Sequence, residues 1–268
     1  MKQLLSFIIC IISMYSVLAQ NPVLPKVSHA EPLYMDLIRD LGARRGEQEL
    51  NVGGSIQKNN QYISYGSFIE YEFALFNRFD MEVEVPLAFY QVLPFENTNP
   101  ALNPKNRMEG IKVSAQYTFL VSPEKKLSMA VAYTNQFLFH SFKTLSNENK
   151  LAKGNLYSPF LITAKKWGAN MHTMLIAGPL YEQMFSSTAN SLGYQVHASM
   201  FYAFLKKNFA GAELNHVYLN DSYSTILHPQ IKYNVSSSIA VGLVTAIPIN
   251  QAYEPSVFFR FIYEPKRK

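Results

Sequence analysis

Residues 111–121 read Ile111-Lys112-Val113-Ser114-Ala115-Gln116-Tyr117-Thr118-Phe119-Leu120-Val121. Ile111, Val113, Ala115, Tyr117, Phe119 and Val121 point one way; Lys112, Ser114, Gln116 and Thr118 point the other. Alternation of this kind is the signature of a strand with one apolar and one polar face. The pattern recurs on both sides. Tyr194, Val196, Ala198, Met200, Tyr202 and Phe204 oppose Gln195, His197 and Ser199, and Met81, Val83, Val85, Leu87 and Phe89 oppose Glu82 and Glu84. Followed along the chain, it predicts about twelve strands. Their expected spans are 49–58, 61–76, 79–92, 107–121, 126–139, 154–166, 169–182, 192–205, 208–219, 224–235, 238–249 and 254–265.

These strands are long. Soluble proteins use strands of about 5–6 residues, whereas a tilted strand needs about 9–11 to cross a bilayer. Composition points the same way. Of the 268 residues, 48% are apolar, 14% aromatic and only 16% charged, against about 25% charged in an average soluble domain. Mean hydropathy is −0.04, far below that of a bundle of membrane helices. Apolar and small polar residues in alternation give that average. The fold class expected is therefore all-β, a transmembrane antiparallel barrel of about twelve strands.

The links between strands divide into two sets. Those at 77–78, 122–125, 167–168, 206–207 and 236–237 are short. Those at 93–106, 140–153, 183–191, 220–223 and 250–253 are mostly longer and polar, with the first link near Asn59-Asn60 an exception. Outer-membrane barrels have short periplasmic turns and longer outer loops, so both chain ends belong in the periplasm. Aromatic residues cluster near strand ends, as interface girdles do. Tyr62, Phe89, Phe137, Tyr157, Tyr181, Tyr194, Tyr218 and Tyr253 are expected at the outer rim. Phe76, Phe79, Phe119, Trp167, Phe204, Phe209, Tyr233 and Tyr263 are expected at the inner one.

Residues 1–19 read as a secretory signal peptide, with Lys2, an apolar run from Leu4 to Ile12, and Val17 and Ala19 before the cleavage point. The single cysteine, Cys10, lies within it, so the mature chain has no thiol chemistry. The net charge of +5 sits in pairs at turns, such as Lys125-Lys126 and Lys206-Lys207. No helix carries a basic stripe, which argues against nucleic acid. Residues 20–48 form a periplasmic segment before the barrel of 49–265. Within it, Pro32 suits a first helical turn. Leu33, Tyr34, Leu37, Ile38 and Leu41 share a face, and Gly42 is a C-cap, so the spacing predicts a short N-terminal helix.

The stretch His29-Ala30-Glu31-Pro32-Leu33-Tyr34-Met35-Asp36-Leu37-Ile38-Arg39-Asp40-Leu41-Gly42-Ala43-Arg44-Arg45-Gly46-Glu47 resembles the start of mature proteins in a family of exported β-barrel proteins from Bacteroidota. Members are similar in carrying this segment and an Asn-x-Gly strand, here Asn51-Val52-Gly53. The resemblance implies an outer-membrane location. Some members bear the name phosphoribosylformylglycinamidine synthase. That activity is rejected here, because its glutaminase chemistry needs a cysteine nucleophile and no Gly-rich phosphate loop is present.

The polar faces place four carboxylates on neighbouring strands, Glu70, Glu72, Glu82 and Glu84, with Glu72 and Glu84 expected to face each other. Like charges opposite one another need partners. Lys112 and other inward basic residues would supply a salt-bridge ladder. Alternatively Arg39, Arg44 and Arg45 would dock on the cluster and hold the N-terminal segment as a plug. The histidines form no HExxH pair and no metal-ligand cluster, so no metal or cofactor is expected. His197 and His228 fall on inward faces as wall residues. His140-Ser141 lies near the outer rim, but adjacent strand residues point to opposite faces, so they make no dyad and no catalytic residue is assigned. The expected function is a narrow or plugged pore for the passage or binding of a small solute, with outer-membrane lipid as its surroundings. The alternatives are a structural or assembly barrel and a lipid-modifying enzyme.

Overall fold

A computed structural model describes residues 24–35, 38, 40–94, 104–140, 151–185, 190–205, 208–250 and 254–265. The strands are β1 Gln48–Lys58, β2 Tyr62–Phe76, β3 Phe79–Val92, β4 Arg107–Met108, β5 Gly110–Ser122, β6 Leu127–Phe139, β7 Ala152–Trp167, β8 Met171–Met184, β9 Asn190–Phe204, β10 Asn208–Leu219, β11 Ser222–Asn234, β12 Ile239–Pro248 and β13 Ser256–Tyr263. Each pairs antiparallel with its neighbours, β2 with β3 included, and β1 pairs with β13 from Leu50↔Tyr263 to Gln57↔Ser256. The sheet thus closes into a barrel of twelve walls, with β4 as an extra short strand. β4 and β5 both pair with β3, so they fill one wall position, interrupted at Glu109. Beside that interruption β5 presses on β6. A Cβ at Gly110 would lie 1.8 Å from the Phe137 carbonyl oxygen, a space only glycine leaves free.

Closure explains why this sequence suits hydrocarbon. Backbone groups facing lipid have no water to bond, and each unmet one costs several kcal/mol, so only a sheet without edges is stable there. Outside, Leu50, Val52 and Ile56 of β1, Ile69 and Tyr71 of β2, and Leu175 of β8 are among the many exposed apolar side chains. A band of this extent is far larger than the few hundred Å² patches of soluble monomers. Inside, the same strands carry Asn51, Glu70, Glu72 and His172, all buried. Most of the expected rim aromatics face outward. Phe209 does not. It is 2% exposed and packs inside against Phe201, with ring centroids 4.7 Å apart. Tyr253 lies outside the described residues.

Three expectations are corrected in detail. The outer link expected at 220–223 is a tight turn, in which Asn220 and Asp221 take φ of 54° and 56°. Asn and Asp tolerate that left-handed backbone, and paired positive φ values match the twist of a hairpin. Second, Glu72 faces Glu82, and Glu70 faces Glu84. An irregularity between Ala74 and Phe76 shifts the register above the turn, so the pair centre is displaced from the position that the turn alone suggests. Third, no helix lies among the described residues of 32–42. Leu33, Tyr34, Met35 and Ile38 lie in bends and Leu41-Gly42 in a turn, while Asp36, Leu37 and Arg39 lie outside the described residues. The reason is where the segment runs.

Candidate functional site

The described residues of 24–42 (24–35, 38 and 40–42) run inside the barrel, and the wall supplies hydrogen bonds that a helix would have made internally. The Ala30 N–H donates to His172 Nδ1 at 2.9 Å, the Leu33 N–H to Gln230 Oε1 at 2.5 Å, the Met35 N–H to Glu213 Oε2 at 3.4 Å, and the Gly42 N–H to Thr118 Oγ1 at 3.2 Å. Gln230 in turn donates to Glu213 Oε2 at 3.2 Å. A buried amide left without an acceptor costs about 1–3 kcal/mol, so inward polar residues on β5, β8, β10 and β11 make an extended backbone tolerable here.

Two apolar anchors add to these bonds. Ile38 and Leu41 pack on Ala130, Ala132, Phe160, Ile162, Ala164, Met174 and Ile176, on the inner faces of β6, β7 and β8. Ala30 and Leu33 pack on Phe201, Phe209, Ala240, Val244, Phe258 and Ile262, from β9, β10, β12 and β13. Burying a side chain such as Leu or Ile contributes about 1.5–3 kcal/mol. These inner apolar patches are the signal that sequence reading passed over. A water-filled lumen needs a polar inner face, yet β7 and β8 are apolar on both faces, as only a covered wall would be. Tyr34 completes the contact, stacking on His228 with centroids 3.8 Å apart.

At the short-turn mouth the segment is held by charge. Lys26 Nζ lies 2.6 Å from Asp40 and 3.4 Å from Glu47. Burial opposes its charge, but those carboxylates outweigh burial and raise its pKa. Burial and the neighbouring carboxyl of Asp40, to which it hydrogen-bonds, push the pKa of Glu31 well up. His29 pairs with Ser128 Oγ at 2.9 Å and meets His172 edge to face. Burial and His172 lower its pKa to about 4. The segment then leaves the lumen beside the β2–β3 turn, where the Gly46 N–H donates to the Ala74 carbonyl and the Arg78 N–H to the Ala43 carbonyl.

The four carboxylates are brought together on the wall. Lys112 Nζ lies 2.5 Å from Glu84, 3.1 Å from Glu82 and 3.9 Å from Glu70. Arg260 reaches Glu70 at 3.4 Å from β13. The Asn51 amide donates to Glu70 and Glu72 at 2.8 and 2.7 Å, and Ser114 Oγ donates to Glu82 at 3.1 Å. Glu70, Glu72 and Glu82 each bring a carboxylate oxygen within 4.8 Å of the others, a spacing that suits a cation, but the Asn51 amide and Lys112 already occupy that space. Sequence reading identified Lys112. It missed Arg260, which meets the cluster only through barrel closure. Arg44 and Arg45 lie at the mouth, where their backbone N–H groups donate to Glu47 and Asn77, and Arg39 lies outside the described residues. Ser141, beside His140, also lies outside them.

The segment separates two cavities. One of about 140 Å³ opens at the short-turn mouth beside His29, Glu31, Asp40 and Lys232. One of about 440 Å³ opens at the other mouth, with Tyr34 and His228 in its lining. Between them, the space bounded by Pro32, Met174, Ile176, His197, Ser199 and Glu213 has no room for water.

Among solved structures, the chain is similar in fold to barrels of the outer membrane. An outer membrane channel from Pseudomonas putida F1 matches with a TM-score of 0.66 and 9% identity, covering 84% of this chain and 98% of that one. The KdgM porin matches with a TM-score of 0.58 and 14% identity, covering 81% and 99%. It is also known in complex with disordered oligogalacturonate. At such identities the likeness is one of fold. No curated protein matches the chain. The HAEPLYID-like family does match, over residues 25–264, from the lumen segment through the last strand, and the chain belongs to that family.

Proposed function

We propose that the protein is an outer-membrane pore for a small solute and that residues 24–47 are its gate. The observation that carries this reading is the run of four segment amides bonded to side chains of four different wall strands. Twelve strands lie between the eight that side chains can fill and the sixteen or more that leave an open channel, and in this reading a barrel of this size without its segment passes a small solute. The family description spells HAEPLYID, and residues 29–36 here read His-Ala-Glu-Pro-Leu-Tyr-Met-Asp. Ala30, Leu33 and Met35 of that peptide make three of those four bonds. In this reading residues 1–19 are the export signal, 20–48 the periplasmic-side segment that contains the gate, and 49–265 the barrel. The acidic cluster is wall structure, with Lys112 and Arg260 as its cationic partners. Arg44 and Arg45 serve the gate where it turns into β1.

Planar-bilayer conductance tests this. The chain from residue 20 should be closed for most of the record, and a chain starting at residue 48 should conduct steadily. Heat-modifiable migration in detergent confirms that the shortened barrel has folded. A folded but silent shortened barrel would overturn the proposal.

A further inference from the structure

The cavity at the outer mouth has a lining unlike that of the acidic wall. Among the described residues its rim and floor come from Tyr34, His197, Asn215, Asn220, Ser224 and His228, with Val217, Leu219 and Ile226 between them and no Lys, Arg, Asp or Glu. Asn215 faces His197 across the β9–β10 ladder, and His228 is on the adjoining strand. His228 is 0% exposed, and both its ring nitrogens lack a hydrogen-bond partner. Buried polar atoms are almost always paired, and an orphan marks a place where a water or a ligand group belongs. Tyr34 covers the His228 ring and is itself 46% exposed.

From this arrangement we propose that the outer cavity binds an uncharged sugar of mono- or disaccharide size, resting on Tyr34 of the lumen segment, itself stacked on His228, and bordered by Asn215 and His197 of the wall. A pyranose presents an apolar C–H face and a rim of hydroxyls. The face suits the exposed Tyr34 ring, which offers flat apolar area with a polar tip. Each hydroxyl both donates and accepts, so it pairs with an imidazole nitrogen in either tautomer and with either end of the Asn215 amide. A lining without formal charge offers a carboxylate no cation to meet, and desolvating an unpaired charge is unfavourable. The volume of about 440 Å³ lies within the range of about 300–1,000 Å³ typical of small-molecule sites. The segment supplies the floor of the site, so binding occurs with the lumen closed and does not depend on gating.

Calorimetric titration of the full mature chain in detergent with galactose, glucose and maltose tests the proposal, with galacturonate as the charged counterpart of galactose. At least one neutral sugar should bind saturably, and galacturonate at least ten-fold more weakly than galactose. Tyr34→Ala and His228→Phe should each weaken the neutral sugar ten-fold or more, while His228→Gln, which keeps a donor and an acceptor, should stay within a few-fold of wild type. Heat-modifiable migration shows whether the wall variant is folded, and Tyr34→Ala leaves the wall untouched. The proposal is overturned if none of the three neutral sugars binds, if galacturonate binds as well as galactose, or if Tyr34→Ala has no effect. A barrel that conducts but fails this titration loses the site and keeps the gate.

Discussion

Leu33 is 1% exposed, and its methyl carbons lie 2.7 and 2.9 Å from the point where a Cβ on Gly242 would sit. The glycine on β12 is therefore a socket for the leucine. Truncating a buried Leu to Ala costs about 2–5 kcal/mol, and a tenfold change in an equilibrium corresponds to about 1.4 kcal/mol. Leu33→Ala should raise the undocked fraction of the segment by roughly thirty-fold or more. Gly242→Val, which fills the socket, should act in the same direction. Trypsin cleavage after Lys26, Arg44 and Arg45 would report it, and an unchanged cleavage rate in both variants would remove Leu33 as an anchor. Lys112 is the other residue on which much depends. Removing one partner of a buried charge set costs about 3–5 kcal/mol, because the remaining charges stay uncompensated. Lys112→Met should lower the temperature at which the barrel loses its compact gel migration, and Glu82→Gln with Glu84→Gln should restore much of it. The inward placement of these residues is legible from alternation alone, since a period of two assigns a face to each. Arg260 is not legible, because only closure of β13 on β1 brings it to Glu70, a neighbour 190 positions away in the chain.

Among the elements, strand positions were readable to within a few residues, because each strand carries its own alternation and ends at a polar turn. The helix that the spacing before β1 suggests is not shown among the described residues, for a definable reason. Leu33, Ile38 and Leu41 have spacing compatible with one helical face, but they anchor on opposite sides of the lumen, and the acceptors for the segment amides come from other strands. No local pattern encodes that. The segment should also respond to acid. His29, at the mouth, faces His172, Ser128, Lys166 and Asp40. Its docked pKa of about 4 lies below the free value of 6.5, so the docked form binds its proton less readily. Its contribution to docking is complete above pH 6.5 and is lost as pH falls through 4. Glu31, with a raised pKa, works in the opposite sense, holding the segment better as pH falls. The measurement is therefore a difference. Between pH 6.5 and 4, protease resistance of the segment should fall more in wild type than in His29→Gln. Equal pH dependence in the two proteins would remove His29 as the source.

For the molecule as a whole, the membrane-facing skin was the most legible feature and the contents of the lumen the least. Strand length, loop asymmetry and the exposed apolar band all follow from the demands of lipid, which act on every strand alike. The filling follows from a single passage of chain, and its mark on the wall is confined to inner positions such as Phe160, Ile162, Met174 and Ile176. The conductance comparison proposed above addresses this scale, since it asks whether the filling alone keeps an otherwise sufficient bore shut.

The segment lies next to β1 in the chain, and β1 forms the seam with β13. It touches strands made early, such as β6, and strands made last, β12 and β13. During biogenesis, a peptide inside the forming cylinder can gather both sets of strands before the seam is sealed, as a mandrel gathers the layers wound upon it.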